Sequence, residues 1–178
     1  MLLSIFLVAA AFGLSSGQST FAPLRPPSIP LAVRSPYMST WAPAGNAGGN
    51  GGYLAGQWPR FWNGQITGWT GLIRVDNVTY NWLGAPEHSP LTVNQTHFEY
   101  TSTRSIFTMS VGGFVEMNIT FLSPVVPNDL KRSSLPVSYL EVDVLSLDGE
   151  EHAVHIYTDI SAGTRSLNLS GGDNTADV

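Results

Sequence analysis

From residue 66 onward the chain alternates apolar and polar positions with a period of two. That period belongs to strands, whose successive side chains point to opposite faces. The plainest case is 114–122. Val115, Met117, Ile119 and Phe121 fall on one side, and Glu116, Asn118 and Thr120 on the other. Residues 139–147 repeat the pattern, with Leu140, Val142 and Val144 against Glu141 and Asp143. In 152–160, Val154, Ile156 and Ile160 share a face. Residues 66–75 and 78–83 flank Asp76-Asn77, a turn-prone pair that predicts a hairpin. Strands are also predicted over 96–103 and 105–111, with Gly112-Gly113 turning the chain into the next strand. Asp148-Gly149 predicts a second hairpin. Residues 123–136 read as a connector broken by Pro124 and Pro127. No amphipathic helical window of useful length occurs. Short strands joined by tight turns predict an all-β fold, an antiparallel β-sandwich or the related barrel.

The regular part begins beside a stretch rich in tryptophan. Residues 57–86 hold Trp58, Trp62, Trp69 and Trp82 among glycines, and Trp41 lies just upstream. Indole is a large rigid surface with one N–H that wants a partner. Trp58, Trp62 and Trp69 are therefore candidates for a domain interface or for stacking on a ligand such as a sugar ring. The plainer reading is that they fill a core. Before them, residues 20–56 read as an arm and loop. Pro23, Pro26, Pro27, Pro30 and Pro36 fix φ and remove donors, which predicts extended backbone. Phe21, Leu24, Ile29, Leu31, Val33 and Tyr37 suit an arm lying on a protein surface. Gly45, Gly48, Gly49, Gly51 and Gly52 then mark a loop. It has no lysine, preceding strand or following helix to make it a phosphate cradle. The sandwich is expected over 57–178.

Composition narrows the setting. Charged residues make up 12% of the chain, about half the usual share, and the net charge is −5 with Lys131 the one lysine. Nothing supplies a basic stripe for nucleic acid. Residues 1–19 read as a secretory signal: an apolar run over 2–12, too short to span a bilayer, followed by Gly13, Ser15, Ser16 and Gly17. The n-region lacks Lys and Arg, and the alternative is a buried terminal element. No membrane anchor is evident. The sequons Asn77-Val-Thr, Asn94-Gln-Thr, Asn118-Ile-Thr and Asn168-Leu-Ser agree with export and predict N-glycans. The chain has no cysteine, so a secreted form relies on its core, on glycans or on a larger assembly. The expected localisation is extracellular.

Candidate chemistry is sparse. His152 and His155, three apart in a strand, point to opposite faces and are not a chelating pair. His88 and His97 have no carboxylate–histidine motif nearby in sequence, so no metal or other cofactor is expected. There is no Gly-x-Ser-x-Gly elbow. Cleavage after Ser19 would free Thr20 as an N-terminal nucleophile, a use known in some amidohydrolases, but it would sit on a proline-rich arm. Glu150-Glu151 reads as solvated turn charge. No catalytic residue is assigned.

Several ordered blocks resemble the fungal secreted glutaminase A family. They are residues 30–41 (Pro-Leu-Ala-Val-Arg-Ser-Pro-Tyr-Met-Ser-Thr-Trp), Trp58-Pro-Arg-Phe-Trp, Ile66-Thr-Gly-Trp-Thr-Gly-Leu-Ile-Arg-Val and Thr103-Arg-Ser-Ile-Phe. Phe121-Leu-Ser-Pro-Val, Asp129-Leu-Lys-Arg-Ser-Ser-Leu-Pro and Tyr157-Thr-Asp-Ile-Ser continue the series. They run along nearly the whole expected mature chain. The resemblance implies the N-terminal, supersandwich-like β-domain of a longer L-glutamine amidohydrolase, whose downstream helical catalytic domain would be its partner. No catalytic motif of that family maps onto residues here. The second expectation is a stand-alone extracellular carbohydrate-binding or interaction module.

Overall fold

The computed structural model describes residues 26–44, 52–87 and 91–161. The expected signal segment, Thr20, most of the glycine loop, His88 and Asn168 lie outside them. The described strands are β1 (Ser28–Ser35), β2 (Met38–Pro43), β3 (Arg60–Phe61), β4 (Trp69–Val75), β5 (Val78–Leu83) and β6 (Leu91–Thr92). β7 (Asn94–Tyr100), β8 (Arg104–Val111), β9 (Val115–Leu122), β10 (Tyr139–Ser146) and β11 (Val154–Ile160) follow. One helical turn, α1 (Leu130–Ser133), interrupts the connector, with Asp129 capping it by accepting from Arg132 N at 2.9 Å.

Two four-stranded sheets, ordered β10-β9-β8-β7 and β11-β4-β5-β6, share one core, and β1-β2-β3 forms a third sheet. All described pairs are antiparallel except β5–β6. This is the all-β sandwich that the alternation predicts. Val115, Met117, Ile119 and Phe121 are all buried, against Ile73, Val75, Trp82 and Leu83 from the other sheet. Full burial of such a side chain contributes about 1.5–3 kcal/mol. The opposite face of β9 is half-buried rather than exposed, because Glu116, Asn118 and Thr120 stand between strands on both sides. An aromatic series crosses the core. Phe98 and Phe107 have centroids 5.0 Å apart, Phe107 meets Phe121 edge-on at 5.9 Å, and Phe121 meets Trp69 edge-on at 5.4 Å. Gly71 makes room for Trp82: a Cβ there would collide with the indole, which is fully buried.

The proline-spaced segment is extended, as expected, but it is paired. β1 and β2 form a hairpin across Pro36-Tyr37, with Ser35 Oγ accepting from Met38 N at 3.1 Å. Ile29, Leu31 and Ala42 enter the common core. Ser105 Oγ donates to the Pro30 carbonyl at 2.7 Å, and Val33 N donates to Ser123 Oγ at 3.1 Å. The strand accommodates Pro30 because pairing shifts register between Pro30 and Ala32, and a bulge is where a strand tolerates proline.

The β4–β5 hairpin lies where Asp76-Asn77 places it, with Asp76 in the left-handed region at φ 54. The second expected hairpin is absent. β10 pairs with β9 and β11 with β4, so the Asp148-Gly149 turn carries the chain from one sheet to the other. The incoming chain is captured by the β4–β5 turn: Asp76 N donates to the Ala153 carbonyl at 2.8 Å, and Ala153 N donates to Asp76 Oδ1 at 3.0 Å. Among the described residues nothing covers this side of the sandwich. Leu140, Val142, Val144 and Val154 are half-buried, and Ile156 and Ile160 are exposed.

Candidate functional site

The tryptophans of residues 57–86 do not form one face. Trp82 lies in the core, its Nε1 buried without a hydrogen-bond partner. Trp69 is half-buried, edge-on to Phe121, and donates its Nε1–H to Thr158 Oγ1 of β11 at 3.1 Å. Trp58 is half-buried beside Gly84, where φ is +85 and a Cβ would approach both the Trp58 ring and the Trp69 carbonyl. Trp62 stands apart. It is 66% exposed, with its centroid 5.9 Å from that of Phe61. A tight loop carries it: Phe61 N donates to the Gln65 carbonyl, Gly64 N to the Phe61 carbonyl, and Arg60 Nη1 to the Gly64 carbonyl. Trp62, Ile66 and, on the β4–β5 hairpin, Val78 are the exposed large apolar side chains of residues 57–86. Trp41, upstream, turns its Nε1–H to Ser39 Oγ at 3.0 Å.

The sequon asparagines differ in setting. Asn77, at the tip of the β4–β5 hairpin, and Asn94, at the start of β7, are exposed. Asn118 is half-buried in the middle of its sheet. Its Oδ1 accepts from Thr108 Oγ1 at 2.7 Å, and its Nδ2 donates to Glu116 at 3.3 Å.

Sequence reasoning missed one polar cluster. Spacing weighs His152 only as a possible chelating partner of His155, yet the crossing between sheets sets it between two aspartates, one of them Asp148, four residues before it. Its Nδ1 is 3.0 Å from Asp76 Oδ2, and its Nε2 is 3.0 and 3.1 Å from Asp148 Oδ1 and Oδ2. Each ring nitrogen faces an oxygen that only accepts, so the arrangement favours the doubly protonated imidazolium. The hydrogen bonds to Asp76 and then to Asp148 raise the His152 pKa above its ordinary 6.5. The Glu150 amide, followed by His152, lowers Asp148 to about 2. His152, followed by the Ala153 amide, lowers Asp76. Spacing alone does not reveal the cluster, since Asp76 lies far upstream in sequence and is brought in by β4–β11 pairing.

The cluster contains a serine but not a nucleophile's geometry. Ser146 Oγ donates to Asp148 Oδ1 at 2.9 Å, and Gly149 N donates to Ser146 Oγ at 3.0 Å. Hydrolytic triads place the imidazole between hydroxyl and carboxylate. Here a carboxylate separates hydroxyl from imidazole, and both ring nitrogens are occupied. The chemistry it supports is an electrostatic clamp. Among the described residues no group of three or more His, Asp or Glu side chains is set to hold a metal ion. A cavity of about 130 Å³ lies beside Tyr53, Val93, Gln95 and Met109. Its amide is engaged: Gln95 accepts from Leu54 N and donates to the Gly52 carbonyl. No helix among the described residues is long and apolar enough to cross a membrane.

Residues 103–171 match the family described as domain of unknown function DUF5127. Glutaminase A of Aspergillus oryzae is 63% identical over 155 residues, which cover 87% of this chain and 22% of that protein. A protein of Arthroderma benhamiae named probable glutaminase is 33% identical over 154 residues, covering 78% of this chain and 17% of its own length. The chain therefore spans about a fifth of the length of these relatives. No solved structure matches it.

Proposed function

Because the chain belongs, over the fifth of their length that it spans, to the fungal glutaminase A family, we propose that it is a non-catalytic β-sandwich domain of a secreted L-glutamine amidohydrolase. The observation that carries this reading is the 63% identity to a glutaminase over 87% of the chain. In the proposed arrangement this is the N-terminal domain, and a downstream helical domain supplies catalysis. Secretion rests on the apolar run over 2–12 and on the sequons, of which Asn77 and Asn94 are exposed and suit N-glycans.

Amide hydrolysis needs an activated nucleophile or water, an acid for the departing ammonia, and donors for the developing oxyanion. The His152 cluster supplies none of these, since both its ring nitrogens are held by carboxylates. The test is ammonia release from L-glutamine by the purified, glycosylated chain, with Aspergillus oryzae Glutaminase A as reference. No turnover by the chain is expected. Turnover within about tenfold of the reference overturns the non-catalytic assignment.

The exposed Trp62 favours a second reading, an extracellular carbohydrate-binding or interaction module, because an exposed indole is a stacking surface for sugar rings or for a neighbouring domain. Quenching of tryptophan fluorescence by oligosaccharides, lost in Trp62→Ala, would favour that module.

A further inference from the structure

Three turns from the two sheets meet at the His152 ring. The β4–β5 turn brings Asp76 to Nδ1, and the β10–β11 crossing brings Asp148 to Nε2, each at 3.0 Å. The β8–β9 turn lays Phe114 beside the ring. Leu147 N, at the start of the crossing, donates to the Phe114 carbonyl at 2.8 Å. The crossing is where the chain leaves β10 of one sheet for β11 of the other. The ring therefore ties the two sheets beside the segment that joins them covalently.

Neither carboxylate is free to turn away. Asp76 Oδ1 accepts from Ala153 N at 3.0 Å. Asp148 Oδ1 accepts from Glu150 N at 3.0 Å and from Ser146 Oγ at 2.9 Å. A neutral imidazole has one N–H, so its other nitrogen would point a lone pair at a carboxylate oxygen. With both carboxylates pinned, relief comes from the ring leaving its place. Residues 147–151 are all exposed, so little apolar burial holds the crossing once the ring has left.

We propose that His152 is a pH-operated latch: protonated, it locks the β10–β11 crossing onto the β4–β5 turn, and on losing one ring proton it releases the crossing while the sandwich core stays folded. The other titratable groups at this end do not substitute for it. Arg74 lies behind Asp76, donating Nε–H to the Asp76 carbonyl at 3.1 Å, and His155 stands opposite Arg74 on β11. Glu150 and Glu151 add negative charge to the crossing, and Glu116 of β9 accepts from Asn118. The β8–β9 turn carries no charge at Gly112, Gly113 or Phe114, and the Tyr80 hydroxyl lies beside Gly112. Asp76 and Asp148 thus set the state of the ring, and both favour the imidazolium. The latch is closed below the ordinary imidazole value of 6.5 and opens as pH rises through the higher folded one.

The test is amide hydrogen exchange in the purified chain, followed by NMR from about pH 5 to about pH 8.5 beside the titration of the His152 ring. Rates are corrected for the intrinsic pH dependence of exchange. At the acid end the Ala153 and Asp76 amides should be protected about a hundredfold or more. Above the ring titration they should exchange within about tenfold of an unstructured chain, while Ile119 in β9 stays protected about a thousandfold or more. His152→Gln, neutral at every pH, should show the open pattern throughout. His155→Gln leaves the clamp in place and should keep the wild-type response. Ala153 and Asp76 amides that stay protected above the ring titration overturn the proposal. So does loss of Ile119 protection together with theirs, which is unfolding rather than release. A pH response kept in His152→Gln overturns it as well. The wild-type series decides the matter even where His152→Gln does not fold, and no readout depends on ammonia release.

Discussion

His152 shows how a single residue acquires a role from topology. In sequence it opens a strand beside Glu150-Glu151, with Asp148 four residues before it, and only Asp76 is remote. In the fold its ring is only 13% exposed and clamped at both nitrogens. The linkage to stability has a defined sign. The His152 pKa is raised, so its contribution is full below the unfolded value of 6.5 and is lost as pH rises through the folded one. Asp148 is lowered from 3.8 to about 2, so its contribution is present above 3.8 and lost as pH falls towards 2. Asp76 acts in the same direction as Asp148. The clamp therefore stabilises most between pH 3.8 and 6.5. Thermal unfolding of wild type and His152→Asn across pH should show the largest difference in Tm inside that window. A constant difference from pH 2 to 9 would mean that the ring acts by packing, for instance against Phe114, whose centroid is 5.9 Å away.

Among elements, β9 was the most legible in sequence, whereas β11 was legible as a strand over 152–160 but not in its pairing. Two strands flank β9, so its period-two pattern maps directly onto burial. Phe121, 1% exposed and touched by two perpendicular rings, should cost about 3–5 kcal/mol when cut to alanine. Glu116→Ala on the other face should stay within about 0.5 kcal/mol. Urea titrations of both variants check this, and a Phe121→Ala loss below about 1 kcal/mol would contradict the packing described. The β10–β11 turn misled for a physical reason. Asp-Gly specifies a tight reversal but not the strand to which the returning chain bonds. Asp76 decides that from the far hairpin by taking the Ala153 amide. The tryptophans were ambiguous in the same way. Their spacing allows core, interface or ligand, and the fold divides them, with Trp82 in the core, Trp58 and Trp69 half-buried and Trp62 exposed.

At the scale of the whole molecule, the boundary between arm and sandwich is the part that proline content obscured. Prolines signal extended backbone without signalling whether it is paired. The segment reads as a surface arm, yet Ile29 and Leu31 are 0% and 1% exposed in the same core as Phe107 and Ile119. Truncating one such side chain to alanine costs about 2–5 kcal/mol. A domain of this size has about 5–15 kcal/mol of total stability. Removing β1 and β2 takes away both side chains and Ala42. It also strips the partners of Ser105 Oγ and Ser123 Oγ. The summed loss is comparable to the whole stability, so a chain beginning at Gln57 should not fold cooperatively. A chain beginning at Thr20 keeps the hairpin and should. The comparison is made by urea unfolding followed through tryptophan fluorescence. A sigmoidal transition is expected for 20–178, and a shallow drift with strong binding of a hydrophobic dye for 57–178. An unchanged midpoint in 57–178 would show that β1 and β2 are a detachable arm after all, and that the β-sandwich closes its core without them.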